Sequence, residues 1–124
     1  MVTGIGIDMV QVKRLERWLG DLKLLKRYFH PDELEYSLSL GKNASRALAA
    51  RFAAKEAFAK ALGTGLSNIK LTDIMIHNES NGKPELKLTG AAKQEMEKSG
   101  AKWARVSLTH EKEYAAAMVL LEGA

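Results

Sequence analysis

Two carboxylates and the cations spaced around them have the clearest chemical potential in this chain. Glu56 lies in the run SRALAARFAAKEAFAKAL, residues 45–62. At about 100° per residue on a helix, Ala49, Phe52, Ala53 and Ala59 fall within about 60° of it, so the carboxylate stands inside an apolar face. An i,i+4 ion pair with Lys60 would have the favourable orientation, yet such an exposed pair contributes only a few tenths of a kcal/mol. Burying a charge costs far more. A compensating cation is therefore expected, either Lys60 or a metal ion. Asp8 closes GIGID, residues 4–8. It has a structural explanation of its own, because Asp8 with Gln11 three residues later forms a capping-box pattern where a strand gives way to a helix. GIGID is no dinucleotide fingerprint, since it lacks the third glycine and the helix opening at the right place.

The elements that must position these groups follow from periodicity. Val2–Asp8 alternates, with Thr3, Ile5 and Ile7 on one face and Val2, Gly4, Gly6 and Asp8 on the other, and reads as a strand with one nearly bare face. A bare face admits another backbone. Gln11–Leu19 reads as a helix with Val12, Leu15, Trp18 and Leu19 on one side and Arg14 and Arg17 elsewhere. Pro31 opens a helix to about Leu40, and a polar link follows at Gly41–Asn43. Ser45–Leu62 is the strongest helix pattern, rich in alanine and terminated by Gly63. Asp73–Asn78 and Pro84–Leu88 read as strands joined through a tight Asn81-Gly82 turn. Thr89–Lys98 reads as a surface helix ended by Gly100. Trp103–Thr109 and Tyr114–Leu121 have strand composition, weakened in the second by Ala115–Ala117. Without regular βαβ alternation, an α+β fold with a largely antiparallel sheet around one long central helix is expected.

Alanines at 49, 53 and 57 complement the Gly4/Gly6 face, so the long helix can lie close against the first strand and bring Glu56 towards Asp8. Two carboxylates meeting without histidine or cysteine make a hard-oxygen site suited to Mg²⁺, with open positions for phosphate and water. Arg51 and Lys55 could hold such phosphates or form a solvated strip. His30 and His77 have surface or turn contexts. His110, at the end of RVSLT, could donate to a phosphate or satisfy a turn. Lys83 in the NGKP turn could meet an anion. Ser107 has no supporting His/Asp arrangement, and no nucleophile elbow occurs.

Composition bounds the possibilities. The 124 residues are 46% hydrophobic and 27% charged with two prolines, the balance of one domain spanning 1–124 rather than a disordered or fibrous chain. Zero cysteines exclude a disulfide framework, thiolate metal sites and thiol nucleophiles. With no run of about 18 apolar residues and no leader pattern after Met1, a cytoplasmic protein without membrane contact is expected. The net charge is +4. Three of those four charges lie in residues 1–30, where Lys13, Arg14, Arg17, Lys23, Lys26 and Arg27 outnumber Asp8, Glu16 and Asp21. A basic first quarter invites an anionic partner. A nucleic acid is one candidate, but neither a recognised motif nor an aromatic stacking platform supports it.

In order and spacing, GIGID at 4–8, RFAAKEAFAKALGTG at 51–65, NGKP at 81–84 and SLTHEKEYAAA at 107–117 strongly resemble the small holo-[acyl-carrier-protein] synthases, the short class of 4′-phosphopantetheinyl transferases. The resemblance spans nearly the whole chain and is loosest over 18–46. It implies transfer of the 4′-phosphopantetheine arm from coenzyme A to a serine of an acyl carrier protein, Mg²⁺-dependent and serving fatty acid biosynthesis. Matched residue to residue, Asp8 and Glu56 would be metal ligands and Lys60 would contact the pyrophosphate. Arg51 and His110 would lie near the nucleotide phosphates, with Lys83 and Pro84 of the NGKP block also on the coenzyme. Glu56 is also a candidate for taking the serine proton. Acidic residues are common in the family where this chain has Gln11, and Val10 leaves no second carboxylate two residues after Asp8, so water would fill that coordination place. The longer relatives hold two similar halves, which implies that this chain forms a homotrimer with sites at subunit interfaces. Arg14 and Arg17 would then steer the acidic carrier protein.

Overall fold

A computed structural model describes residues 1–124. Its elements run β1 (Val2–Gln11), α1 (Val12–Trp18), α2 (Leu22–Tyr28), α3 (Pro31–Leu38), α4 (Ala44–Leu62), β2 (Ile74–Asn78), β3 (Pro84–Leu88), α5 (Gly90–Lys98), β4 (Ala101–His110) and β5 (Tyr114–Gly123), with short 3₁₀ turns at Gly41–Asn43 and Leu71–Asp73. The strands form a three-stranded sheet in the order β1-β5-β4 and a two-stranded sheet β2-β3, with every pairing antiparallel. The α+β expectation holds, with the antiparallel strands divided between two sheets.

α4 is the axis of the core. Apart from Arg46, Glu56, Lys60 and Leu62, every residue of it is buried, which explains an alanine-rich sequence with apolar groups on all sides. It ends at Gly63, whose φ of 81° supplies the left-handed cap. One side of α4 lies on β1 and β5. Built onto Gly6, a Cβ would stand 2.0 Å from the Ala57 carbonyl oxygen, and onto Gly4, 2.2 Å from that of Ala61. The bare strand face therefore admits helix backbone as expected, but the nearest helix atoms belong to Ala57 and Ala61 rather than to Ala49 and Ala53. β5, the central strand, meets the same helix through buried Ala115, Ala117, Val119 and Leu121. The alanines that weaken its strand propensity are what let the helix approach.

Several local expectations are corrected. β1 does not end at Asp8. Its ladder with β5 continues to Gln11 opposite Tyr114, and the Val12 amide then donates to the Glu113 carbonyl at 2.8 Å. Asp8 is thus a strand residue and caps nothing; Gln11 occupies the N-cap of α1 without a side-chain hydrogen bond. Leu19 lies beyond α1 and is exposed. α2 is an additional helix, started by Asp21, whose carboxylate accepts from the Leu24 amide at 3.1 Å. It brings Tyr28 against Trp18 and Phe52, with ring centroids 5.2 and 6.0 Å away. His30 fulfils a turn role as the N-cap of α3, with its Nδ1 accepting from the Asp32 amide. The β2–β3 connection is longer than a two-residue turn. Pairing ends at Asn78 opposite Pro84, and residues 79–83 close through the Gly82 amide to the Glu79 carbonyl at 2.8 Å.

Candidate active site

Asp8 projects from the inner face of β1 towards the C-terminal half of α4. Lys60 reaches across to it, with Nζ donating to Asp8 Oδ1 at 2.9 Å and to the Ile7 carbonyl at 3.0 Å. The ion pair that Lys60 makes is therefore with the strand, not with Glu56 one turn earlier on its own helix. Glu56 is half-buried. Its carboxyl is held above the ordinary carboxylate range first by burial and then by the negative charge of Asp8, while Arg14 and Lys60 pull the other way. The two carboxylates thus share one electrostatic environment, as the glycine–alanine contact required. No third His, Cys, Asp or Glu joins them in a metal-holding group.

The raised Glu56 carboxyl has a consequence for stability. A carboxyl whose pKa is higher folded than unfolded binds its proton more tightly in the folded state, so stability falls as pH rises from about 4.3 through the raised value. Glu56→Gln should therefore melt higher than the wild type at pH 7 in the presence of a chelator, and the difference should vanish below pH 4. Melting curves between pH 4 and 8 decide this, and a variant less stable than the wild type at neutral pH would refute the burial argument.

Arg51 occupies a different face of α4, about 140° around and about 7.5 Å along the axis from Glu56. Its guanidinium is buried, lies 4.7 Å from the centre of the Tyr36 ring, donates through Nη1 to the Ala47 carbonyl at 3.3 Å and through Nη2 to Asn78 Oδ1. Its Nε is buried without a partner. Burial lowers the Arg51 pKa, with the charge of Glu33 opposing. A cavity of about 230 Å³ opens against it, lined among others by Tyr36, Asn78, Gly82, Pro84 and His110. Arg51, Pro84 and His110 therefore meet at one site. Lys83 is adjacent in sequence but is not part of the lining; its amide donates to Asn81 Oδ1 within the turn. Asp8 lies opposite Ala117 and Ala117 opposite Leu108 of the same cavity wall, two strand spacings or about 10 Å apart.

Lys55 belongs to neither site. Its ammonium is fully buried, donating to Glu33 Oε1 at 2.7 Å, to the Leu71 carbonyl at 2.9 Å and to the Ile74 carbonyl. Glu33 Oε2 accepts from the Ile76 amide at 3.1 Å. Neither the phosphate role nor the solvated strip survives: this cation ties α3 and β2 to α4. Burial pushes its pKa down, and Glu33 opposes that shift. Arg14 also differs from expectation. It lies over the Phe52 and Trp18 rings at 5.0 and 5.3 Å and acts on Glu56, whereas Arg17 is an exposed charge at the end of α1. Sequence reasoning missed Tyr36 and Asn78. The one signal available was that Asn78 ends the strand before NGKP.

The model of the 4′-phosphopantetheinyl transferase superfamily matches residues 4–119, and the chain belongs to that superfamily. Among its relatives, the holo-[acyl-carrier-protein] synthase of Treponema denticola is 54% identical over 123 residues, covering 99% of this chain and 100% of that one. The crystal structure of the Neisseria meningitidis holo-[acyl-carrier-protein] synthase superposes with a TM-score of 0.87 at 36% identity, covering 98% of this chain and 99% of that one. The Bacillus anthracis synthase in complex with CoA (3′,5′-ADP) gives 0.83 at 34% identity, covering 100% and 99%. No helix of the chain is long and apolar enough to cross a membrane.

Proposed function

We propose that this chain transfers the 4′-phosphopantetheine arm of coenzyme A to a serine of an apo acyl carrier protein, releasing adenosine 3′,5′-bisphosphate. The observation that carries the reading is that Asp8, ion-paired with Lys60, stands near enough to Glu56 for its charge to act on that carboxyl, in a chain that matches holo-[acyl-carrier-protein] synthases end to end. In the reaction the serine oxygen bonds to the β-phosphorus, the bond to the nucleotide phosphate breaks, and the serine proton is lost to a base. Positioning and charge stabilisation dominate such transfers. Glu56 is the carboxylate placed to take the serine proton, directly or through water. Lys60 lies on an exposed stem and can turn from Asp8 to an oxygen of the diphosphate.

Asp8 and Glu56 would hold Mg²⁺. Their donor set fits, being two carboxylates without nitrogen or sulfur ligands, and leaves most of an octahedral shell to phosphate and water. The ion would supply charge neutralisation on the diphosphate. Arg51 and His110, with Pro84 in the wall, would bind the nucleotide phosphates, a reading supported by the cavity that the three residues line together. Lys83 would approach from the rim.

The outer face of the three-stranded sheet supports self-association. Ile5, Ile7 and Met9 are each more than 60% exposed, with Met118 opposite Ile7, and such a patch marks an interface. A homotrimer with sites at the subunit boundaries would join carboxylates and phosphate cavity from different copies. A cytoplasmic role in fatty acid biosynthesis follows from the carrier-protein substrate. Mass spectrometry of an apo carrier protein after incubation with coenzyme A, Mg²⁺ and this chain tests the proposal: the carrier gains one phosphopantetheine arm, and an unchanged mass overturns it. Sedimentation equilibrium decides the trimer.

Arg17 and Arg14 would face the acidic carrier. Arg17→Glu should raise KM for the carrier several-fold and leave KM for coenzyme A intact, with the effect shrinking as salt screens charges over about 10 Å at 0.1 M. Arg14→Glu should lower kcat as well, because it places an acid beside Glu56. Steady-state kinetics at two salt levels would remove Arg17 from the docking surface if the carrier KM did not move.

A further inference from the structure

We propose that Asn78 is a positioning residue for coenzyme binding: its amide ties the Arg51 guanidinium to the 79–83 turn and so fixes both the cation and one wall of the cavity. The inference rests on reading that cavity as the coenzyme site.

Asn78 is the last residue of β2, paired with Pro84. Its Oδ1 accepts from Arg51 Nη2, and its Nδ2 donates to the Gly82 carbonyl at 3.1 Å. The orientation of this amide has one solution. A guanidinium can only donate and a backbone carbonyl can only accept, so oxygen must face Arg51 and nitrogen must face Gly82. Other side chains fail at one end. Aspartate would accept from Arg51 but set a negative charge against the Gly82 carbonyl; leucine has a similar shape and bonds to neither; serine is too short to span both.

The remaining partners of Arg51 leave this job to Asn78. The Ala47 carbonyl belongs to α4 itself and the Tyr36 ring to α3. Neither connects the guanidinium to the strand and turn that carry Gly82 and Pro84, which line the same cavity. Without Asn78, Arg51 keeps its charge but loses one fixed direction, and the turn loses its link to α4. An incoming phosphate would then have to order both, and that ordering weakens binding.

The test is calorimetric titration of coenzyme A into the full-length protein, with melting curves recorded alongside. Asn78→Ala should raise Kd for coenzyme A about tenfold, the scale of losing a hydrogen bond to a charged group, and Asn78→Ser should do the same if the alanine variant does not fold. KM for the carrier protein should stay unchanged. In an Arg51→Ala background, Asn78→Ala should add less than about twofold, since coupled residues are not additive. Unchanged Kd in the folded Asn78 variants overturns the proposal, as does a full tenfold effect persisting without Arg51. Failure of the wild type to bind coenzyme A overturns it together with the cavity assignment. A wild type that binds coenzyme A but modifies no carrier refutes the transfer reaction and leaves Asn78 to be judged by Kd alone.

Discussion

Asp8→Ala and Glu56→Ala should each cut transfer from coenzyme A by on the order of a thousandfold, the rate equivalent of about 4 kcal/mol of lost charge stabilisation, while leaving the protein folded. The structure explains why both halves of that expectation belong together. Asp8 contributes one ion pair to a lysine whose side chain is 56% exposed, and pairs of that kind add at most about 1 kcal/mol to stability. Lys60 also retains the Ile7 carbonyl as an acceptor. Burial holds the Glu56 carboxyl above its ordinary range, so its removal should relieve a penalty at neutral pH. Single-turnover transfer measured beside thermal unfolding separates chemistry from folding. Near wild-type turnover in either variant would sink the carboxylate site, and loss of folding in both would make the pair structural. Isothermal titration with Mn²⁺ as a probe should show the same two substitutions weakening metal binding, a readout independent of the carrier protein.

What could be read in the sequence followed physical rule. Gly4 and Gly6 against an alanine-rich helix announced a close strand–helix contact, and that contact carried Glu56 to Asp8. The long helix was legible because its composition, length and terminating Gly63 all agree. Long-range pairing was not legible. Asp8 and Gln11 satisfy a local capping pattern, but hydrogen bonding to β5 outweighs it and draws the strand three residues further. Lys55 on the helix surface looks like Arg51's companion until Glu33, twenty-two residues away, arrives to neutralise it in the core. Lys60 and Glu56 satisfy the helical spacing rule, yet Lys60 has a better partner across the strand. In each case the local pattern was sound and a partner distant in sequence supplied the larger interaction. Arg14 is a further example, since its stacking on Phe52 depends on how α1 crosses α4.

The largest stability effect should come from the smallest substitution, Gly6→Ala, expected to cost about 3 kcal/mol or more and to lower the melting temperature by about 10 °C. The new methyl group would begin 2.0 Å from the Ala57 carbonyl and 2.8 Å from the Ala61 amide nitrogen. Both are backbone atoms of a helix packed on every side, so no rotamer change relieves the clash. α4 must move away from β1 by more than an ångström. Ala57 is the neighbour of Glu56, and the same displacement should carry the carboxylate off Asp8 and lower transfer by about a hundredfold, as misplacement on that scale does. Asp8→Ala therefore loses activity with folding intact, whereas Gly6→Ala loses both. Gly20→Ala is the control. A Cβ there meets nothing within 4 Å, so its stability should stay within about 0.5 kcal/mol of the wild type. Denaturant unfolding and transfer assays on the three variants decide the matter. A Gly6→Ala protein as stable as the control would show that the helix can be moved off the strand freely, and that the glycine face does not hold the two carboxylates together.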